Sequence, residues 1–374
     1  MKQTIQVTSD GYGYHTFELK WNPTHKEFLV AKQFLKAISA ENEYYPLERY
    51  GKGRWFCGAL RHDGIRVYMT KANNRNVIKL IINPRQLIEP RTTYLGIMPN
   101  GTNAFERLEH AFTDCMRRVH LPDFLEDWTL SRMDLCVNLE WNKKKGPHEI
   151  IRLLRKEPTP KGYLRNQFTS SGGSPYTETR NTHILKFSNE SIALVAYDKI
   201  YQIRHENLAR PEDFIPKGIL RVELQYERPA ILEYAKKKNV KSTSEIMQAL
   251  AEDSRELICQ YTRRLWGAGT HCKMQVLEKA LKKKAGISKK NKERMLELAD
   301  TLQTAKCGDK AFELMNLTPK QLRTCLQHFK KLGINPVPLR EEDRLDRLPS
   351  LSALLEEVAE DGTKLWLTGK KAFF

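Results

Sequence analysis

Strand-like runs stop at Pro229, and that break limits the fold of this chain more than any other feature. Before it, β-branched and aromatic runs are interleaved with amphipathic stretches. After it, apolar residues recur almost only at helical spacing. Residues 3–7, 15–21, 54–59, 65–70, 77–82, 128–141, 182–188, 191–200 and 218–227 read as strands. His62-Asp63-Gly64 makes a hairpin turn, and Asn83-Pro84 stops the run that ends at Ile82. Helical spacing covers 25–40, 104–119 and 147–155, then 230–238, 243–265, 273–284 and 289–303. The order predicts an α+β fold. An antiparallel β-sheet with flanking helices would occupy residues 1–240, and an all-helical region 241–374.

Within the helical region, 309–316 and 319–332 form a closely spaced pair. Thr318 can cap the second helix, Pro319 suits its first turn and Gly333 ends it. Residues 309–332 thus fit a helix-turn-helix, with Arg323 facing DNA, and equally fit an ordinary helical hairpin. The tail 349–374 holds one short helix. The Gly-, Ser- and Thr-rich stretch 160–180 reads as a loop whose Arg165 and Arg180 can touch DNA.

Lys and Arg number 63 against 45 Asp and Glu, a net charge of +18 over 374 residues. An excess of that size points to a polyanionic partner, most simply nucleic acid. The basic runs Lys236-Lys237-Lys238, Lys282-Lys283-Lys284 and Lys289-Lys290 would hold phosphates. Seven scattered cysteines without a CxxC pair exclude a zinc knuckle or thioredoxin-like motif, and free thiols in a reducing cytosol are expected. The opening MKQTIQVTSDGYGYH lacks the layout of a signal peptide, and no apolar run approaches a membrane span. A cytoplasmic protein without a membrane partner is the expectation.

Period two carries the chemistry. Along residues 131–138 it puts Arg132, Asp134, Cys136 and Asn138 on one face, and Met133, Leu135 and Val137 on the other. Residues 220–225 repeat the design, with Arg221, Glu223 and Gln225 opposite Leu220, Val222 and Leu224. If these strands pair, Asp134 and Glu223 come together as hard oxygen ligands for Mg²⁺ or Mn²⁺. The same pattern also suits two surface salt bridges. In a third strand Val195, Tyr197 and Lys199 share a face, with Leu194, Ala196 and Asp198 on the other. Tyr197 is a candidate nucleophile, assisted by Lys199, or one more tyrosine packed on a sheet. His183 is a candidate third ligand or a structural histidine. Tyr234, with the spacing Tyr234-Ala235-Lys236-Lys237, and Tyr261 are alternative nucleophiles.

At these residues the chain resembles a known family. TLSRMDLCV, IALVAYDK and ILRVELQ, in that order, are similar to stretches of the filamentous-phage gene II replication initiators. More loosely they resemble the rolling-circle plasmid initiators of Gram-positive bacteria and the relaxases of integrative elements. IKLIINPRQLI and LRTCLQHFKKLGI extend the resemblance to roughly residues 75–335. Asp198 follows the plasmid form, and no His-hydrophobic-His motif is present. The resemblance implies an endonuclease that nicks one strand of a single-stranded or melted origin. Tyr197 would form a 5′-phosphotyrosyl link, with Asp134 and Glu223 holding the metal. The free 3′-OH would prime rolling-circle synthesis by host polymerase, with a host helicase as a further partner, and the same site would rejoin the strand. Arg132 and Arg221 would stabilise the transition-state charge. A conjugative relaxase would use the same chemistry. A non-enzymatic regulator reading DNA through residues 309–332 would have no need for Asp134, Tyr197 and Glu223 to converge.

Overall fold

The computed structural model describes residues 4–40, 47–72, 75–90, 95–141, 146–165, 183–205, 218–343, 345–358 and 364–368. The first elements are β1 (Thr4–Trp21), α1 (His25–Ala40), β2 (Leu47–Gly51), β3 (Arg54–Cys57), β4 (Ile65–Ala72) and β5 (Arg75–Ile82). Next come α2 (Pro84–Ile88), β6 (Met98–Pro99), α3 (Thr102–Arg118), β7 (Thr129–Trp141), α4 (Gly146–Leu154) and β8 (Leu164–Arg165). β9 (Ile184–Ser188), β10 (Ile192–Asp198), α5 (Lys199–His205) and β11 (Gly218–Glu227) complete the strand-rich part. Then follow α6 (Arg228–Lys238), α7 (Thr243–Glu252), α8 (Ser254–Trp266), β12 (His271–Cys272), α9 (Met274–Lys283) and α10 (Lys289–Thr304). The chain continues with α11 (Gly308–Met315), α12 (Pro319–Leu332), β13 (Arg347–Leu348), α13 (Leu351–Glu357) and β14 (Lys364–Thr368).

The fold is α+β. Its main sheet runs β2-β3-β4-β5-β1-β7-β11-β10-β9-β8, with β6 and β14 also paired to β1. Neighbouring strands are antiparallel, so directly opposed residues point to the same face. One face carries Phe17, Leu19, Val67, Ile78, Leu80, Met133, Leu135, Val137, Val222 and Leu224, all fully buried. Helices α4, α6, α7 and α8 lie against the β7–β11 part of the sheet. At the other end α1 buries Phe28, Ala31 and Leu35, with Phe28 edge-on to Trp55 of β3.

The structure departs from the sequence expectation in several places. Residues 3–7 and 15–21 are not separate strands but ends of one long β1, whose pairing with β7 shifts register three times. Gly11 takes a positive φ of 78° in the first of these irregularities, and glycine adopts that conformation without a Cβ clash. Residues 243–265 are two helices, broken at Asp253, whose carboxylate accepts from Tyr234 and pairs with Lys238. Lys199 is not a strand residue but opens α5. Arg165 lies in β8, donating to the backbone oxygens of Arg155 and Glu157, while Arg180 falls outside the described residues. The pair α11 and α12 forms as expected, with a capping box between Thr318 and Gln321 and Gly333 in the left-handed region at φ 65°.

Packing does not break near residue 240. One hydrophobic core runs from the sheet through Leu250, Ile258, Leu298, Phe329 and Leu354. Thr243 at the start of α7 bonds both Glu126 and the Trp128 backbone oxygen. Further on, Asn335 donates to buried Glu157 at 2.7 Å. The tail adds β14 beside the first residues of β1, which the sequence reading of the tail did not include.

Candidate active site on the polar face of the sheet

Strand register builds the site row by row. Asn138 of β7 is opposite Arg221 of β11, which is opposite Tyr197 of β10. In the next row Cys136 faces Glu223, followed by Val195 and then Lys186 of β9. In the third, Thr16 of β1 faces Asp134, which faces Gln225. Glu18 faces Arg132 in the fourth. Asp134 and Glu223 are therefore diagonal neighbours on adjacent strands.

The rows open into a cleft of about 410 Å³ lined by charged and aromatic side chains, including Arg66, Arg132, Asp134, His183, Lys186, Tyr197 and Glu223. At its floor the Tyr197 hydroxyl donates a hydrogen bond to Glu223 Oε1. Burial, then the nearby Glu223 carboxylate, pushes the Tyr197 phenol well above its ordinary value near 10. Arg221 is fully buried against the same phenol. It donates to Asn138 Oδ1 at 2.7 Å and to the Leu95 backbone oxygen. Such pairing is what a buried guanidinium requires. Arg221 thus supports Tyr197 from below and presents no surface to a DNA strand, contrary to the expectation of direct contact.

Arg132 grips Asp134 through two bonds, Nε to Oδ1 at 2.7 Å and Nη2 to Oδ2 at 2.6 Å, and reaches Glu18 at 3.0 Å. Burial raises the Asp134 carboxyl to about 6 against the opposing pull of Arg132. Lys199 sits beside the tyrosine, its Nζ 5.7 Å from the Tyr197 ring centre and bonded to Gln202. His183 stands at the cleft edge, stacked on Tyr201 at 3.5 Å and 3.8 Å from Asp198 rather than beside the two acids.

Mg²⁺ or Mn²⁺ ligands are not assembled by these contacts. Arg132 occupies both Asp134 oxygens, Tyr197 occupies one of Glu223, and His183 is directed to Asp198. Among the described residues, no group of three or more His, Cys, Asp or Glu is placed to hold an ion.

The alternative tyrosines lie elsewhere. Tyr226 alternates with Gln225 onto the core face of β11, and Tyr234 and Tyr261 pack edge-on to it, each at 6.2 Å. Both are thus separated from the cleft by the sheet. Lys236, Lys237, Lys282, Lys283 and Arg323 are exposed on α6, α9 and α12, away from the rows that build the site.

The sequence reading passes over Arg66, Lys186 and His15 in the cleft and Glu18 beside it. Arg66, Lys186 and Glu18 were legible in principle, because each alternates with core residues on its strand. His15 was not. It sits in the bulge between Tyr14 and Thr16, with Nδ1 3.9 Å from Glu223 and 2.9 Å from the Thr16 hydroxyl. Burial and the cations around it hold its ring well below the usual histidine range, hence neutral.

No protein-family model matches the chain, and no curated protein matches it in sequence. Among solved structures it is similar to a rolling circle replication initiator protein from Geobacillus stearothermophilus. The identity is 14%, over 69% of this chain and 85% of that one, with a TM-score of 0.31. No helix among the described residues is long and apolar enough to cross a membrane.

Proposed function

We propose that the cleft is a DNA strand-transfer site and that the protein is a replication initiator endonuclease with Tyr197 as its nucleophile. One observation carries the reading: a buried phenol hydrogen-bonded to a carboxylate on the floor of a cleft edged by Arg66, Arg132 and Lys186. A tyrosine needs a base to attack at neutral pH, and Glu223 is already in hydrogen-bonding contact with it. The three motif stretches resembling gene II initiators meet at this same point, on β7, β10 and β11.

In the step, the Tyr197 oxygen bonds to a backbone phosphorus while Glu223 takes the phenol proton. The bond from phosphorus to the 3′ oxygen breaks, and that oxygen leaves and takes a proton from water. The 5′ side stays on Tyr197 as a phosphodiester, so a later attack by a 3′-OH can reseal the strand. Arg132 and Lys186 face the added negative charge on the phosphoryl oxygens. Arg221 and Lys199 position the phenol. The 3′-OH released is a primer for a polymerase, and the exposed cations of α6, α9 and α12 would hold flanking DNA.

A covalent-adduct gel tests the reading. Protein is incubated with labelled single strands from the neighbouring genome, with and without Mn²⁺, and run under denaturing conditions. A band retained by the parent and absent from Tyr197→Phe supports it. An adduct that persists in that variant rejects Tyr197 as the nucleophile.

A further inference from the structure

The polar face of the sheet does not end at the cleft. Opposed residues extend it across β4, β3 and β2: Lys79 faces Tyr68, Tyr68 faces Phe56, and Phe56 faces Glu48. Phe56 lies 5.1 Å from the Tyr68 ring, and Tyr50 stands edge-on to Tyr68 at 6.2 Å. Tyr50 is 50% exposed. Lys79 Nζ sits 5.3 Å from the Tyr68 ring centre, and Arg54 and Arg66 project exposed from the same face. Among the described residues of β2 to β5, Glu48 is the one acid on this face, against four cations, Arg54, Arg66, Arg75 and Lys79.

An aromatic cluster with one exposed and two half-buried rings is costly in water, and Arg54, Arg66 and Lys79, the last paired with Glu18 at 3.4 Å, stand around it. Unpaired nucleotides fit both features, since each base offers a flat π-face and each phosphate a negative charge. A duplex hides its base faces and would meet only the cations. Arg66 belongs to both regions: it lines the cleft and precedes Tyr68 by two residues on β4.

We infer that the open face of β2–β5, built on Tyr50, Phe56 and Tyr68 with Arg54, Arg66 and Lys79, is a stacking platform for a single nucleic acid strand that leads into the Tyr197 cleft. Its direction towards the cleft rests on the strand-transfer reading, while the binding does not. The Phe56 and Tyr50 rings lie 5.1 and 6.2 Å from Tyr68, room for about one or two stacked bases.

The test is fluorescence anisotropy with a labelled 20-nucleotide single strand and the matching duplex. Tyr50→Ala and Arg54→Glu are compared with the parent, because both side chains are exposed and leave the core intact. Tyr50→Ala is expected to weaken single-strand binding roughly 5- to 150-fold with little effect on the duplex. Arg54→Glu should weaken single-strand binding and make its loss with salt shallower, by about 1 in the slope of log K against log salt. Parent-like single-strand affinity in both variants overturns the platform, as does an equal loss on duplex. A normal Tyr197 adduct together with neutral Tyr50→Ala also overturns it while leaving the cleft chemistry standing. Tyr50-dependent binding without any adduct upholds the platform and removes the strand-transfer reading.

Discussion

Tyr197 and Glu223 occupy adjacent strands one row apart, and the phenol of the first donates its hydrogen to the carboxylate of the second. If Glu223 is the base, Glu223→Gln should keep the fold and lower adduct formation about 100- to 10,000-fold, the usual range for a lost general base. Single-turnover adduct rates measure this. A variant within threefold of the parent would remove Glu223 from the chemistry.

Arg221 should matter chiefly to the fold. Arg221→Ala removes the buried guanidinium that donates to Asn138 Oδ1 and, beside Asn138 Nδ2, to the Leu95 carbonyl. The expected loss is about 3–5 kcal/mol, read from urea unfolding. Arg221→Lys should recover little of it, since one ammonium cannot span the Asn138, Leu95 and Tyr197 positions as a planar fork does.

Glu157 gives a pH-dependent stability. Burial raises its carboxyl to about 7, above an unfolded value near 4.5. The folded state therefore binds the proton more tightly. The stabilisation is complete below about pH 4.5 and is lost as pH rises through 7, a fall of about 3 kcal/mol. Glu157→Gln keeps the acceptor for Asn335 and has no proton to lose. Urea melts at pH 4.5 and 8 should show a much flatter profile in the variant, and matching profiles would reject this origin.

Gly13 is a site where any side chain is excluded. A Cβ there would collide with the Met98 carbonyl, which is backbone and paired to β1. Gly13→Ala should lower stability by more than about 2 kcal/mol, visible as a fall in melting temperature.

Exposed cations on the helices should act through phosphates. Replacing Lys236 with Lys237, or Lys282 with Lys283, by alanine should weaken DNA binding across sequences and reduce the slope of log K against log salt by about 1 per lost contact. The same titration on Arg323→Ala separates the two readings of α11 and α12. An unchanged slope and sequence preference would leave them an ordinary hairpin.

Much of the sheet was legible because period two is a local signal. Ser131 to Asn138 and Leu220 to Gln225 alternate cleanly, and their shared polar face placed Asp134 near Glu223 before any geometry was known. The Arg132–Asp134 pair was legible too, as neighbours two apart on one strand, whereas the contact of Tyr197 with Glu223 was not. The Tyr197–Glu223 contact and the reach of Arg132 to Glu18 depend on which strand lies beside which, and β1 and β10 come from opposite ends of the strand-rich part. A bulge hid His15, because it re-aims one side chain against the alternation that sequence reading relies on. The break at Asp253 was equally obscured, since apolar spacing continues across it and only contacts with Tyr234 and Lys238 mark the corner. The short strand β14 gains its place from β1, more than 350 positions earlier in the chain.

The central position of β11 has a consequence for how activity would be lost. Arg221, Glu223 and Gln225 each meet a partner on β7 and another on β10. A one-residue slip of β11 would send all three into the apolar layer and bring Leu220, Val222 and Leu224 to the cleft. Partial, graded damage to the constellation is therefore not available to this sheet. Competence for strand transfer would report on the folded fraction of the molecules, and heating should extinguish both in a single transition.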